Sequence, residues 1–259
     1  MRDFTFFDQL GNTVALSALA GRIVSLVPSQ TELLSDLALD EEVVGITKFC
    51  IHPPHWQKEK KIVGGTKNFD FTAIETLKPD LIIANKEENY KEGLAKLGEK
   101  YQVWVSDIVT LTDAFRMIRS VGEMTGRNEK ALQLINEIQS AFQQLIKKAA
   151  LRILYLIWNN PWMAAGKDTF INSMITETGW INCVAACRYS SLTPEEIKDL
   201  NPDVILLSSE PFPFREKHSD EIKAMCPASR ILFVDGEMFS WYGSRLLKAP
   251  EYFNSIQVI

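Results

Sequence analysis

The sequence contains few of the residues that most often bind metal ions, and it has no long apolar segment. Only three of its 259 residues are histidine and four are cysteine, and no Cys-x-x-Cys pair indicates a zinc site. No apolar run approaches the roughly 20 residues needed to cross a bilayer. Lysine and arginine are scattered and the net charge is −5, which argues against a nucleic-acid-binding surface. We therefore expect neither a nucleic-acid partner nor a membrane span.

The motifs of common enzyme classes are absent as well. Residues 165–169 (AGKDT) lack the spacing of a phosphate-binding loop. The sequence has no Gly-x-Ser-x-Gly turn and no His-Glu-x-x-His pair. We therefore expect a protein that is not an enzyme, with no catalytic residues.

The amino-terminal stretch MRDFTFFDQLGNTVAL does not form a secretory signal as written. It contains acidic residues and no continuous apolar segment. Two interpretations stay open. The protein is cytoplasmic if the chain is complete as written, or it is periplasmic or membrane-anchored outside the cytoplasm if a leader has been removed.

Two pairs of similar segments divide the sequence into halves of like build. RIVSLVPS (22–29) and RILYLIWNNP (152–161) each begin with arginine, continue with aliphatic residues and end in a turn, which is typical of a buried strand. ETLKPDLIIA (75–84) and KDLNPDVILL (198–207) each indicate a helix end, a Pro-Asp break and a strand. This alternation predicts two Rossmann-like α/β lobes with parallel sheets.

A long helix is predicted between the lobes. Residues 127–150 contain no glycine or proline, and their apolar residues recur at spacings of three and four. These residues are Ala131, Leu134, Ile135, Ile138, Phe142, Leu145 and Ile146. At 1.5 Å per residue the helix would be roughly 35 Å long. We therefore predict an N-terminal lobe at 1–126, a connecting helix at 127–150 and a C-terminal lobe at 151–259.

This organisation resembles the helical-backbone (class III) substrate-binding proteins of ABC importers, which serve cobalamin, siderophores and haem. The resemblance extends from about Asp8 to Phe253 and is closest to the cobalamin-binding subgroup. The run ITKFCIHPP…VGGTKNFDFTAIETLKPDLIIANKEEN follows the order and spacing of that subgroup. The resemblance implies a ligand cleft between the lobes, a bound metal chelate without a covalent cofactor, and an ABC permease as partner.

The resemblance also implies an acidic docking residue for the permease on each lobe. In the N-terminal lobe that position is occupied by Thr72, and Glu75 follows one helical turn later. In the C-terminal lobe the candidates are Glu216 and Glu221. We expect these three glutamates to contact a transporter.

Ligands of open α/β sheets bind beyond the carboxyl ends of the strands, which selects the loops of the first lobe. The PSQTE loop (28–32) is predicted to begin a helix, and the free N–H groups at a helix start attract a polar ligand group. The alternative is that the serine or threonine of this loop only caps the helix. In the GGTK loop (64–67), Thr66 stands where the cobalamin subgroup has an aromatic residue. The IANKEEN segment (83–89) contains the end of a predicted strand and the loop that follows it. The predicted ligand-binding residues on these loops are Ser29, Gln30, Gly65, Thr66, Lys67, Glu87 and Asn89.

The segment FCIHPPHW (49–56) combines a cysteine with two of the three histidines. Pro53 and Pro54 prevent the histidines from sharing a helix face, so the segment lacks the ligand spacing of a zinc site. The resemblance places Phe49, Cys50 and His52 on the wall of the cleft. A single axial contact from Cys50 or His52 to a chelated metal stays an alternative to a purely polar wall.

The second lobe contributes aromatic residues beside Asn, Pro and Gly, in turns where no core is expected to bury them. Trp158 and Trp162 flank an Asn-Asn-Pro turn, and FSWYGSR (239–245) follows the last predicted strand. Flat aromatic faces suit a planar macrocycle, and an arginine suits a carboxylate or amide rim. We therefore predict that Trp158, Trp162, Trp241, Tyr242 and Arg245 bind the ligand.

The sequence thus predicts a monomeric solute-binding protein for a metal chelate that feeds an ABC importer. Cobalamin or another corrinoid is the first expected ligand, and a siderophore or haem is the alternative. A further alternative is a cytoplasmic corrinoid or metal-chelate carrier or sensor that has no transporter.

Overall fold

Strands and helices alternate along both halves of the chain, as predicted. A computed structural model describes residues 4–257, so the outermost residues of the predicted lobes, 1–3 and 258–259, lie outside the described residues. The chain divides into two compact units. The first comprises the described residues up to Ile108, together with Thr112–Ile138 and Tyr242–Arg245. The second comprises Val109–Leu111, Gln139–Trp241 and the described residues from Leu246 onward.

Residues 4–143 begin with a hairpin and continue as alternating strands and helices, as far as the end of the connecting helix. Its elements are β1 (Phe4–Phe7), β2 (Thr13–Leu16), β3 (Ile23–Ser25), α1 (Pro28–Asp36), β4 (Val43–Ile46), α2 (Trp56–Glu59), β5 (Lys61–Ile62), β6 (Gly64–Gly65), β7 (Asn68–Phe69), α3 (Phe71–Leu77), β8 (Leu81–Asn85), α4 (Lys91–Gly98), β9 (Val103–Ser106), α5 (Leu111–Thr125) and α6 (Asn128–Gln143).

The remaining elements follow the same alternation. They are β10 (Arg152–Trp158), β11 (Trp162–Ala165), α7 (Phe170–Glu177), β12 (Ile181–Asn182), β13 (Tyr189–Leu192), α8 (Pro194–Asp199), β14 (Val204–Ser208), α9 (Glu216–Met225), β15 (Arg230–Val234), α10 (Glu237–Ser240), a 3-10 turn at Ser244–Leu247, and α11 (Ala249–Ser255). Within residues 4–257, no helix combines the length and apolar character that a membrane crossing requires.

The first unit is built on a parallel sheet with the strand order β5-β4-β3-β8-β9. Its central strands β3 and β8 are buried along their whole length, which explains their nearly continuous apolar sequence. Val24 on β3 and Ile82 on β8 belong to one apolar core cluster. The sheet therefore presents the carboxyl ends of β3, β4, β8 and β9 along one edge.

The second unit has a larger sheet with the strand order β13-β11-β10-β14-β15, and β12 also pairs with β10. The pairs formed by β10, β12, β14 and β15 are parallel, whereas β11 runs antiparallel to both β10 and β13. The antiparallel pair arises because β11 follows β10 through a short turn at residues 159–161, and so short a connection cannot return the chain in parallel. Loops that follow β10 and β14 lie at the carboxyl edge of the parallel part.

The connecting helix α6 is shorter than predicted, since it ends at Gln143 instead of Ala150. Beyond that point tertiary contacts replace the helical hydrogen bonds: the N–H of Ile146 donates to Asn254 Oδ1 and the N–H of Lys148 donates to Thr178 O. Ile146, predicted to lie on the apolar stripe, is 69% exposed. Local periodicity was thus sufficient to predict the helix but not its end.

Candidate ligand-binding loops

Three strands of the first unit's sheet each end at a buried polar residue. β3 ends at Ser25, β8 at Asn85 and β9 at Ser106, and none of these residues is more than 2% exposed. The Asn85 side-chain nitrogen lies 3.0 Å from Ser106 Oγ, which also accepts a hydrogen bond from Gln30 on α1. Because buried polar groups require partners, this network holds two strand ends and the start of α1 in one arrangement.

The PSQTE loop forms the first turn of α1, and its predicted ligand-binding residues lie inside the unit. Ser29 is 2% exposed and Gln30 is fully buried. The helix begins at Pro28 after Val27, and no side chain caps it, whereas a serine or threonine cap was expected. Proline suits the first helical position because its missing N–H would have no intrahelical partner there. Ser29 and Gln30 therefore lie in the interior of the unit, at the start of α1.

Cys50 is also an interior residue, although it was predicted to lie on the wall of a cleft. Its side chain is fully buried, with Sγ 3.0 Å from Thr31 Oγ1 and 3.2 Å from Thr47 Oγ1. Burial raises the pKa of the Cys50 thiol and outweighs the opposing effect of these hydroxyl contacts. Since the nucleophilic and metal-binding form of cysteine is the thiolate, the structure does not offer this sulfur as an axial ligand.

Other residues at this edge reach solvent. Phe49 is 50% exposed, and His52, Thr66 and Glu87 are half-buried. The exposed Lys67 donates a hydrogen bond of 2.6 Å to the backbone oxygen of Glu87, which joins the loop after β6 to the loop after β8. These five predicted residues belong to the accessible part of the first unit's carboxyl edge.

Asn89 and Gly65, both predicted to bind ligand, are buried beside that accessible part. Asn89 is 3% exposed, and its side-chain nitrogen donates to Leu26 O at 3.2 Å and to Thr66 O at 3.0 Å. A Cβ on Gly65 would lie 2.4 Å from Asn68 Oδ1, so a larger residue there would require the exposed Asn68 side chain to move. Asn89 thus links the loop after β6 to the end of β3.

The segment Tyr242–Arg245 belongs to the first unit, although it follows the last strand of the second in sequence. The Tyr242 hydroxyl donates to Glu88 Oε1 at 2.6 Å, and burial together with this carboxylate raises the pKa of Tyr242 well above its ordinary value. Arg245 donates two hydrogen bonds to Glu32, at 2.9 and 2.7 Å. The guanidinium predicted to meet a ligand rim is therefore already paired with a carboxylate of the protein.

In the second unit an aromatic cluster lies at the carboxyl ends of β10 and β14. Trp158, the last residue of β10, is 40% exposed, and its ring lies edge-on to Phe212 with centroids 5.5 Å apart. Behind them Trp162 stacks on Phe214 at 6.2 Å, and both belong to the apolar core of this unit. Trp158 is thus an accessible aromatic face, whereas Trp162 supports it from the core.

His218, which was not among the predicted site residues, completes this cluster. It is 5% exposed, and its ring centroid lies 5.1 Å from that of Phe212. Its Nδ1 accepts the N–H of Arg215 at 2.9 Å, so the proton of the neutral ring resides on Nε2. In this arrangement neither nitrogen has a lone pair to give to a metal. The EPFPF motif preceding α9 was the signal that could have placed these aromatic rings.

Trp241 is packed against a buried carboxylate of the second unit. It is 6% exposed, and its Nε1 donates to Glu210 Oε1 at 3.1 Å. Ser240 donates to the same oxygen at 2.6 Å. Burial raises the pKa of Glu210 even though these two donors favour its charged form. Only a small part of the Trp241 ring is available to a ligand.

The predicted docking residues lie on the surfaces of helices. Glu75 on α3 forms an ion pair with Lys100 that lowers the pKa of its carboxyl group, and both side chains are exposed. Glu216 begins α9 and Glu221 lies further along the same helix, both exposed. Among residues 4–257, no cluster of three or more His, Cys, Asp or Glu side chains could hold a metal ion.

The order of α/β segments along this chain is shared with a known family. The family model described as periplasmic binding protein matches residues 23–228. The chain belongs to this family. The match covers most of both predicted lobes and the helix between them, and it confirms the family predicted from the sequence.

Three relatives illustrate the family. An uncharacterized ABC transporter substrate-binding lipoprotein of Bacillus subtilis (strain 168) is 27% identical, over 95% of this chain and 83% of that protein. The periplasmic vitamin B12 binding protein of Vibrio cholerae has the same fold, with a TM-score of 0.77, 21% identity and coverage of 91% and 95% of the two chains. A periplasmic haem-binding protein from Roseiflexus sp. RS-1 matches with a TM-score of 0.78, 22% identity and coverage of 90% and 98%. These solved structures confirm the predicted two-lobe α/β fold.

Proposed function

We propose that this protein binds a metal chelate with an extended planar face, a corrinoid such as cobalamin in the first instance, and delivers it to an ABC importer. The observation that carries the proposal is Trp158. It is a tryptophan left 40% exposed at the carboxyl end of β10 and backed by Phe212. Large aromatic rings are normally buried, and one held open at the edge where α/β sheets bind ligands favours a ligand with an apolar face.

The residues of the two edges divide into contacts and supports. In the first unit we propose Phe49, His52, Thr66, Lys67 and Glu87 as ligand contacts, because they reach solvent beside the strand ends. In the second unit Trp158 is the main contact. Residues that are buried, among them Ser29, Gln30, Asn89, Trp162 and Trp241, are proposed to support these contacts without meeting the ligand.

Haem is the second candidate ligand, and it is favoured by the fold shared with the haem-binding protein from Roseiflexus sp. RS-1. Haem and cobalamin both present a flat tetrapyrrole-like face that an aromatic ring can cover. They differ in charge, since haem carries carboxylates, and Lys67 is the one lysine among the proposed contacts that could pair with them. A Lys67→Gln variant that weakens haemin binding but leaves cyanocobalamin binding unchanged would favour haem.

As partner we propose an ABC permease, in keeping with the transporter lipoprotein of Bacillus subtilis. The exposed glutamates Glu75, Glu216 and Glu221 are the proposed docking residues. A permease of this kind receives its substrate outside the cytoplasm, and we propose that location for the protein. Cell fractionation would test it, because recovery in the cytoplasmic fraction alone would contradict a role in import.

The decisive experiment is a set of parallel titrations of the wild-type protein with cyanocobalamin, haemin, ferrichrome and free zinc, each followed by calorimetry. We expect saturable binding of one chelate and none of zinc. Trp158→Ala should weaken that binding roughly tenfold, since a well-placed aromatic contact contributes about 1–2 kcal/mol. Phe4→Ala, which removes a similarly exposed ring from β1, is the matched control and should leave affinity unchanged. Equal affinity in both variants would remove the proposed role of Trp158.

A further inference from the structure

The segment Tyr242–Arg245, called here the docked segment, is held in the first unit by three acidic side chains. Arg245 pairs with Glu32 on α1, and Ser244 donates a hydrogen bond to Asp36 on the same helix. Tyr242 donates to Glu88, in the loop that follows β8. A single short segment thus bonds to α1 and to the loop after β8, two elements that begin at the carboxyl edge of the sheet.

The backbone of the docked segment lies directly on the first turns of α1. A Cβ added to Gly243 would lie 2.5 Å from Ser29 O and 3.3 Å from the Cβ of Leu33. No side chain fits in that space unless the backbone moves. The close approach explains why a glycine stands between Tyr242 and Ser244.

The ion pair between Arg245 and Glu32 has the geometry of a strong interaction. Both nitrogen–oxygen contacts are shorter than 3 Å, at 2.9 and 2.7 Å, and they form a two-pronged pair. Arg245 is 8% exposed and Glu32 is 9% exposed. Removing either partner would leave a buried charge without its partner, which destabilises the surrounding structure.

We propose that the docked segment positions the ligand loops of the first unit, with Arg245 and Tyr242 as its positioning residues. Arg245 holds the start of α1 through Glu32, and Tyr242 holds the loop after β8 through Glu88, next to the proposed contact Glu87. The inference rests on the proposed function. It replaces the sequence-based prediction that Arg245 meets the ligand itself, because its guanidinium is already bonded to Glu32.

The test is a double-mutant cycle on affinity with Arg245→Met, Glu32→Gln and the pair of changes together, using cyanocobalamin and haemin as probes. If Arg245 acts by positioning, each single change weakens binding at least tenfold, and the double variant is no weaker than the worse single variant. If Arg245 instead contacts the ligand, Glu32→Gln leaves affinity unchanged and only variants that lack Arg245 bind weakly. That second result would overturn the inference.

The first unit supplies a matched control pair. Arg127 Nη2 lies 2.8 Å from Glu42 Oε1, and Glu42 immediately precedes β4, at the amino end of the same sheet. Arg127→Met removes another arginine–glutamate pair, with a single contact and less burial, from the opposite edge. It should leave the affinity for either probe unchanged, so a loss equal to that of Arg245→Met would show that any lost ion pair has this effect.

A second measurement requires no ligand and therefore separates failure of this inference from failure of the proposed function. Backbone hydrogen exchange at residues 86–89 should be faster in Arg245→Met than in the wild type, and unchanged in Arg127→Met. Tyr242→Phe removes a single hydroxyl group and should reproduce the change if Arg245→Met does not fold. If neither probe binds the wild type but exchange at 86–89 responds, the proposed function fails and the positioning role stands. Unchanged exchange in both variants would overturn the positioning role.

Discussion

The two units are alike at the amino edges of their sheets and different at the carboxyl edges. In the first unit Arg22 begins β3's segment and donates from Nε and Nη2 to Leu77 O, at the end of α3. The carboxylate of Asp80 accepts the N–H groups of Gly21 and Arg22. One arginine and one aspartate thereby tie a strand to the helix end that precedes the neighbouring strand.

The second unit repeats this arrangement, called here the arginine–aspartate clamp, with Arg152 and Asp203. Arg152 Nη2 donates to Leu200 O at 2.7 Å, just beyond the end of α8. Asp203 Oδ2 accepts the N–H of Arg152 at 2.7 Å. The repeat explains the two similar sequence pairs, since Arg22 and Arg152 lead one pair and the Pro-Asp breaks belong to the other.

At the carboxyl edges the similarity ends. The first unit closes its strands with a buried polar network around Asn85 and Ser106. The second unit places an aromatic cluster there, led by Trp158 and Phe212. Ser208, at the end of β14, is bonded to the buried Tyr155 hydroxyl at 3.1 Å.

The contrast separates what maintains the fold from what we propose to recognise the ligand. An arginine–aspartate clamp serves any α/β unit of this design, so the same solution suits both halves of the chain. Ligand contacts depend on the chemistry of the ligand, and a scaffold changes them without changing its strands. The edges can therefore be tested separately. Changes at the amino edges are measured by stability, and changes at the carboxyl edges by stability and by binding.

The largest effect is expected from breaking the polar network of the first unit. Asn85 Oδ1 accepts the N–H groups of Glu87 and Glu88, and its side-chain nitrogen donates to Ser106. Asn85→Ala leaves these groups without their partner, and should lower the free energy of unfolding by about 2–4 kcal/mol in urea denaturation. Ser208→Ala, the change at the corresponding strand end of the second unit, should lower it by only about 1–2 kcal/mol. Equal losses would mean that the two edges are held with similar strength.

A smaller effect is expected at the repeated clamps. Asp80→Ala and Asp203→Ala each remove a charged acceptor from backbone N–H groups near the surface. Each should lower the free energy of unfolding by about 1–2 kcal/mol, and the two losses should be similar because the arrangement is repeated. Neither change should alter the affinity for cyanocobalamin or haemin. A clear loss of affinity in either variant would show that the amino edges also influence the ligand site.

The sequence predicted the repeated part of the fold well because its signals are local. The Pro-Asp breaks and the apolar runs after them each lie within a few residues, so the alternation of helices and strands followed from short segments. Tyr242 and Arg245 could not be placed in this way, since their partners Glu88 and Glu32 lie 154 and 213 residues away in the chain. Their membership of the first unit depends on tertiary contacts that no local pattern records.

Position after a strand predicts which loops lie at the carboxyl edges, but not which of their residues reach solvent. Phe49 and Trp158 are exposed there, and their role as ligand contacts stays a prediction. Position could not distinguish an exposed residue from a buried neighbour, so Cys50 was expected on a surface that it does not reach. Exposure is decided by how side chains pack across several loops, and here Thr31 and Thr47 enclose the thiol.

The smallest effect is expected at Glu210 in the second unit, the buried carboxylate that accepts a hydrogen bond from Trp241. Burial raises the pKa of Glu210, so the folded state keeps its proton at pH values where the unfolded chain has lost it. Stability should therefore fall as the pH rises from the ordinary glutamate pKa through the higher pKa of the folded state. Glu210→Gln keeps an acceptor for Ser240 and Trp241 but does not ionise, so its stability relative to the wild type should increase with pH across this range.

Urea denaturation at several pH values from about 3 to 7, on both sides of the ordinary glutamate pKa, would measure that difference. Glu75→Gln is the control of opposite sign. Lys100 lowers the pKa of Glu75, so its carboxylate stabilises the fold above its ordinary pKa and that variant should lose stability relative to the wild type as the pH rises. A flat difference for Glu210→Gln would mean that the hydrogen bonds from Ser240 and Trp241 fully offset burial. The aromatic edge of the second unit would then accommodate the ionised Glu210 without loss of stability. The two edges would in that case differ in shape rather than in polarity.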